Sequence, residues 1–142
     1  MKRFTALLTL IILTGCASKP DFENYEYSYS KSGGLAPTYE NLFLAGSEGQ
    51  YFYEGQNRKY SKSLKLTRAE QNTLATAIAS NRLQTVREDY KKFYDFVATT
   101  IKVKNPNIRK TNGSGIMPQD QQRWQNVVDA FEKIINDKKL RQ

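Results

Sequence analysis

The chain predicts an α+β domain: an antiparallel sheet of about five strands with two helices packed on one face. Three observations carry this expectation. Between residues 25 and 66, aromatic and aliphatic residues alternate with polar ones in short runs separated by turn residues, the period-two signature of strands joined as hairpins. Thr67-Arg68-Ala69-Glu70 has the spacing of a capping box, which starts a helix. Near the end of the chain, Trp124, Val127, Val128, Phe131, Ile134 and Ile135 form a wide apolar stripe at helical spacing.

In the first strand, Tyr25, Tyr27 and Tyr29 alternate with Glu26, Ser28 and Ser30 until Ser32-Gly33-Gly34 and Pro37 break it. Residues 39–45 form the second, with Leu42 and Leu44 on one side and Tyr39 and Phe43 on the other. The turn at 46–49 leads to a third strand over 50–54, in which Tyr51 and Tyr53 oppose Phe52. After Gly55-Gln56-Asn57, residues 60–66 extend the meander as a fourth strand with a basic outer side.

The helix capped at Thr67 carries Leu74, Ala75, Ile78 and Ala79 on its apolar side and ends at Ser80-Asn81. Residues 83–96 read as loop with a helical turn. Val97, Thr99, Ile101 and Val103 then give a fifth strand, ended by Asn105-Pro106-Asn107, and 108–111 can pair with it. Asn112-Gly113-Ser114-Gly115 is a loop, and Pro118 suits the first turn of the last helix. A helix of about 20 residues would reach about 30 Å, enough to lie across the sheet, with Trp124 and Phe131 as core anchors.

The front of the chain has a different character. Lys2 and Arg3 precede an apolar run from Phe4 to Leu13, and Thr14-Gly15-Cys16 follows, with Cys16 the only cysteine. The run is too short to cross a ~30 Å hydrocarbon core, so it reads as an export signal. Leu13-Thr14-Gly15-Cys16 resembles a bacterial lipobox. The resemblance implies that Cys16 receives diacylglycerol and that a signal peptidase cleaves between Gly15 and Cys16. Residues 1–15 are then a signal peptide, 16–22 a lipidated tether with Pro20, and 23–142 one α+β domain. Stable anchoring needs two or more acyl chains, which diacylglycerol supplies. The expected location is the cell membrane or outer membrane, facing the periplasm or exterior; by the family's sorting rule, Ala17 permits the outer membrane in a Gram-negative host.

Removing residues 1–15 leaves 127 of 142 residues, a length suited to one core. There is no histidine, and the lipobox resemblance implies that the single cysteine, Cys16, is taken by lipid. These absences exclude Cys/His zinc sites and the Ser-His-Asp and Cys-His mechanisms. Lys and Arg outnumber Asp and Glu by 22 to 14, and loss of Lys2 and Arg3 leaves a net charge of +6. Positions 58, 59, 62, 65 and 68 are the densest basic group, explained by a solvated surface or by attraction to anionic headgroups or acidic polysaccharide. No nucleic-acid recognition motif is present.

If both helices cover one side of the sheet, the other side retains apolar residues from 39–45 and 50–54. The candidate binding surface is therefore Tyr39, Phe43, Tyr51, Phe52 and Tyr53, either covered by residues 83–96 as a second small core or open to an envelope protein or glycan. Weaker alternatives are a basic structural envelope protein and a carboxylate-based hydrolase using Glu88, Asp89 and Asp95, or Glu48 and Glu54. Glu88-Asp89 lacks a calcium-loop pattern, and neither a metal nor another cofactor is implied. The order of lipobox, hairpin strands, capped helix, strand and terminal helix is similar to that of small bacterial lipoproteins. It is also similar to small secreted α/β protease-inhibitor domains, which implies a protein-binding role.

Overall fold

The computed structural model describes residues 25–91, 97–113 and 115–141. Gly15, Cys16, the signal segment and the tether lie outside the described residues. Six strands, β1 (Glu26–Gly33), β2 (Thr38–Ala45), β3 (Glu48–Gly55), β4 (Arg58–Lys65), β5 (Val97–Lys104) and β6 (Ile108–Thr111), form one sheet in the order β4-β3-β2-β1-β5-β6. Every neighbouring pair is antiparallel. The helices are α1 (Arg68–Ser80) and α2 (Gln121–Asp137). The α+β expectation holds, with a correction from about five strands to six. β6 has only four residues, too few for a periodic signal, and is placed by burial of Ile108 opposite Val103.

Register sorts the strands into two faces. One row of the inner face crosses the whole sheet as Leu64, Gly49, Leu44, Tyr27, Val103 and Ile108. The next row is Lys62, Tyr51, Leu42, Tyr29, Ile101 and Lys110. The apolar members of both rows are buried in one core with Leu74 and Ile78 of α1 and Trp124, Val127, Phe131 and Ile135 of α2. Both helices therefore serve the same face of the sheet. Gly49 is required by close packing: a Cβ there would lie 2.8 Å from both Leu44 Cδ2 and Leu64 Cδ2.

The capping box forms as its spacing predicts. The Thr67 amide donates to Glu70 Oε2 at 2.7 Å, and the Glu70 amide donates to Thr67 Oγ1 at 3.2 Å. Thr67→Ala removes one acceptor and is expected to lower stability by about 1 kcal/mol. A urea titration read by circular dichroism checks this, since a lowered midpoint at unchanged slope is the signature of such a loss.

α2 is shorter than expected, 17 residues, because Pro118–Asp120 forms a separate 3-10 turn before it. Asp120 does not cap the helix. Its carboxylate accepts from the Arg87 amide at 3.0 Å, from the Arg87 guanidinium at 2.9 Å and from Arg123. Hydrogen bonds from Arg123 and Arg87 hold the Asp120 carboxyl well below the usual carboxylate range. The start of α2 is thereby tied to the segment after α1. At its other end, the Lys139 amide donates to the Asn136 carbonyl and the Leu140 amide to the Ile135 carbonyl, with Lys139 at φ +51°. This is a Schellman turn, and it buries Leu140 and delivers Arg141 to the sheet.

Candidate functional site

The outer face is built from the alternate residues of the same strands. Its rows read Ser63, Gln50, Phe43, Ser28, Lys102 and Arg109, then Ser61, Phe52, Asn41, Ser30, Thr100 and Thr111. Small hydroxyl and amide side chains dominate, and three aromatic rings stand among them. Tyr39 and Phe43 on β2 are each 42% exposed, and Phe52 on β3 is half-buried. Tyr39 and Phe52 meet with ring centroids 5.8 Å apart and planes at 56°. Lys59 of β4 places its ammonium 5.5 Å from the centre of the Phe52 ring.

Polar groups frame the rings. Asn41 Nδ2 donates to the Tyr39 hydroxyl at 3.0 Å, and Gln50 Nε2 donates to Ser63 Oγ at 2.9 Å. These contacts fix side chains that would otherwise rotate freely, so the face presents ring surface and hydrogen-bonding groups in set positions. That combination suits a ligand with an apolar flank and a hydroxylated edge.

Two of the five residues expected on this surface lie on the opposite face. Tyr51 is fully buried, and its hydroxyl donates to Glu40 Oε1 at 2.7 Å. Burial, followed by that hydrogen bond, pushes its phenol far above the ordinary value. Tyr53 is half-buried and stacks on Tyr60 at 5.2 Å, with Arg58 5.8 Å from the Tyr53 ring centre. Both belong to inner-face positions, paired through the register with Leu42 and Glu40 respectively. The structure keeps Tyr39, Phe43 and Phe52 as the outer aromatic group.

Residues 83–91 do not cover that group. Leu83–Thr85 forms a 3-10 turn, and Leu83 and Val86 join the core beneath the helices. Glu88 bridges to Ile116 and accepts from the Thr111 amide at 2.6 Å, which fastens the segment beside the β6 edge. Residues 92–96, Asp95 among them, lie outside the described residues. The remaining acidic candidates are engaged elsewhere: Glu48 pairs with Lys65 at 3.4 Å, Glu54 with Lys59 at 3.2 Å and Asp89 with Lys91 at 3.8 Å. Lys59 and Lys65 of the dense basic group are thus paired locally, and the lysines on the edge strand β4 discourage sheet-to-sheet association.

The inner face contains two further features that sequence reasoning missed. At the end where β1 leaves the chain's first segment, an apolar cavity of ≈ 480 Å³ opens between α1, the 83–85 turn and the sheet. Tyr25, Tyr27, Ile78, Leu83, Val103 and Ile108 line its apolar walls. Burial, followed by the neighbouring Tyr25, pushes the Tyr27 phenol up to about 12, so it stays neutral. The available sequence signal was Ala75 and Ala79 within the α1 stripe, since two methyl groups cannot fill the gap that larger side chains would.

At the opposite end of the inner face lies an ionic cluster. Arg141 donates to Glu40 Oε1 at 2.8 Å and Oε2 at 3.0 Å, and to Glu132 Oε2 at 2.6 Å. Tyr29 and Lys31 both donate to Glu132 Oε1. Burial would raise the Glu132 carboxyl, but hydrogen bonds from Arg141, Lys31 and Tyr29 outweigh it and hold the group at about 2. Every charge has an opposite partner here, which fits a structural clasp rather than a reactive pair.

No protein-family model and no curated protein matches this chain.

Proposed function

We propose that the chain is a lipid-anchored cell-envelope protein that performs no chemistry and binds an envelope glycan through the outer face of its sheet. The observation that carries this reading is the aromatic group of exposed Tyr39 and Phe43 with half-buried Phe52, standing among fixed amide and hydroxyl side chains. Pyranose rings have apolar faces that stack on aromatic rings, while their hydroxyls need donors and acceptors at the rim. The net charge of +6 after loss of residues 1–15 adds attraction to acidic glycans. The pairing of Glu48, Glu54 and Asp89 with lysines supports the non-catalytic part of the proposal. Attachment rests on the lipobox residues Leu13 to Cys16.

Two measurements test the two parts. Wild type expressed in a bacterial host should incorporate radioactive fatty acid and pellet with membranes. Cys16→Ala should lose both properties, and retention of label by the variant would remove the anchor. For the binding face, the mature chain should co-sediment with purified peptidoglycan. Tyr39→Ser combined with Phe43→Ser should weaken that association about tenfold or more, at unchanged stability because both side chains are exposed. Sedimentation equal to wild type, or abolished for both by moderate salt, would show that charge alone is responsible and end the glycan proposal.

A further inference from the structure

We infer that the inner-face cavity is a second binding site, for one acyl chain of an anionic membrane lipid. The cavity has apolar walls and the ≈ 480 Å³ volume of a small-molecule pocket. Polar and charged groups lining it include Arg82, Gln84 and Thr85. This arrangement, an apolar interior with a cation among its lining residues, matches an amphiphile with a hydrocarbon tail and a negative head.

Arg82 supplies the charge. Arg82 follows the last turn of α1 in the left-handed region, φ +48° and ψ +54°, a position that glycine fills at least cost. Lys139 takes the same conformation at the end of α2, so the turn ends the helix at Arg82, a residue that also lines the cavity. Among the described residues no carboxylate forms an ion pair with Arg82, whereas the neighbouring arginines Arg87 and Arg123 share Asp120. Its charge therefore remains available to a ligand head.

Position selects the membrane as the source of the lipid. Tyr25, a wall of the cavity, stands nine residues beyond Cys16, a stretch that reaches about 30 Å at full extension. The cavity thus lies at the end of the domain from which the tether leaves, and this step rests on the anchoring proposed above. The chemistry of the cavity does not depend on it, so each can fail alone.

The test uses the mature chain, residues 16–142 with Cys16→Ser, which keeps every core residue of the sheet and helices. The probes are cis-parinaric acid, a fluorescent fatty acid, and its alcohol. Saturable binding of both is expected. Arg82→Gly should weaken the acid about threefold while leaving the alcohol unchanged. The unfolding midpoint should be equal or higher, because glycine fills that position at least cost. A merely structural role for Arg82 would not separate the two probes. Ala79→Phe, filling the cavity from an exposed helix position, should reduce binding of both about tenfold or more.

Short-chain phosphatidylglycerol, below the concentration at which it forms micelles, should displace the probe better than short-chain phosphatidylcholine. Absence of saturable binding overturns the proposal, as does equal affinity of acid and alcohol for wild type. Failure of phosphatidylglycerol to displace the probe overturns the membrane source. Binding that appears only after residues 17–24 are deleted would assign the cavity to the chain's own leading segment instead.

Discussion

Phe131→Ala is expected to lower the unfolding free energy by about 4 kcal/mol. Phe131 is fully buried at the middle of α2, stacked on Tyr29 at 5.1 Å between centroids and edge-on to Tyr27 at 6.4 Å. Truncation removes the transfer energy of the ring and both aromatic contacts, and leaves a void. The walls of that void are strands of a continuous sheet and cannot collapse freely into it. A domain of this size has about 5–15 kcal/mol in total, so the loss would be a large share of its stability. Phe131→Leu, which keeps most of the volume, should cost clearly less. Urea unfolding followed by tyrosine and tryptophan fluorescence reads both changes. A loss below about 1 kcal/mol for the alanine variant would mean that α2 is not seated on β1 as described.

The sheet was legible because its strands obey period two, and because turns at 34–37, 46–47 and 56–57 interrupt them. What period two does not reveal is which side faces the helices. Tyr51, Phe52 and Tyr53 are consecutive aromatics, and either parity gives an apolar face. The choice is made by register, since Tyr51 is paired with Leu42 and Phe52 with Asn41. For that reason Tyr51 and Tyr53, expected on the outer face with the other three rings, lie on the inner one, whereas Tyr39, Phe43 and Phe52 stand on the outer face.

The capping box was legible because all its partners lie within four residues. The ionic cluster was not, because Glu40 and Arg141 are 101 positions apart and nothing local distinguishes Glu40 from a solvated strand residue. The cavity is harder still to foresee. It is a deficit of atoms, made where Ala75 and Ala79 line the same space as Tyr25 and Tyr27, and becomes visible only when α1 is set against the sheet.

Arg141→Ala is the second large effect, expected to cost about 3 kcal/mol near neutral pH. The side chain stands at the end of the described chain and is 38% exposed, so sequence position alone would make it dispensable. Its partners decide otherwise. The Glu40 side chain is only 9% exposed and sits in the inner row between Tyr53 and Lys31. Removing the arginine leaves that carboxylate buried, with the Tyr51 hydroxyl as its remaining side-chain donor among the described residues. Breaking a buried pair costs about 3–5 kcal/mol, and the exposure of Arg141 places the change at the lower end.

The pH dependence provides the sharper check. Glu132 titrates at about 2 in the folded protein against an ordinary value of 4.5, so the native state favours its ionised form. That preference contributes stability which is complete above pH 4.5 and is lost as pH falls toward about 2, on the order of 3 kcal/mol in full. In Arg141→Ala one of three donors to Glu132 is gone, its carboxyl moves back up, and less stability remains to be lost. The gap between wild type and variant should therefore be widest near neutral pH and narrow between pH 4.5 and 2. A gap that stays constant through that range would exclude the carboxylates from the effect. Lost packing of the arginine stem would then be the cause, and the C-terminal residues would serve as a cover over the sheet instead of an ionic clasp.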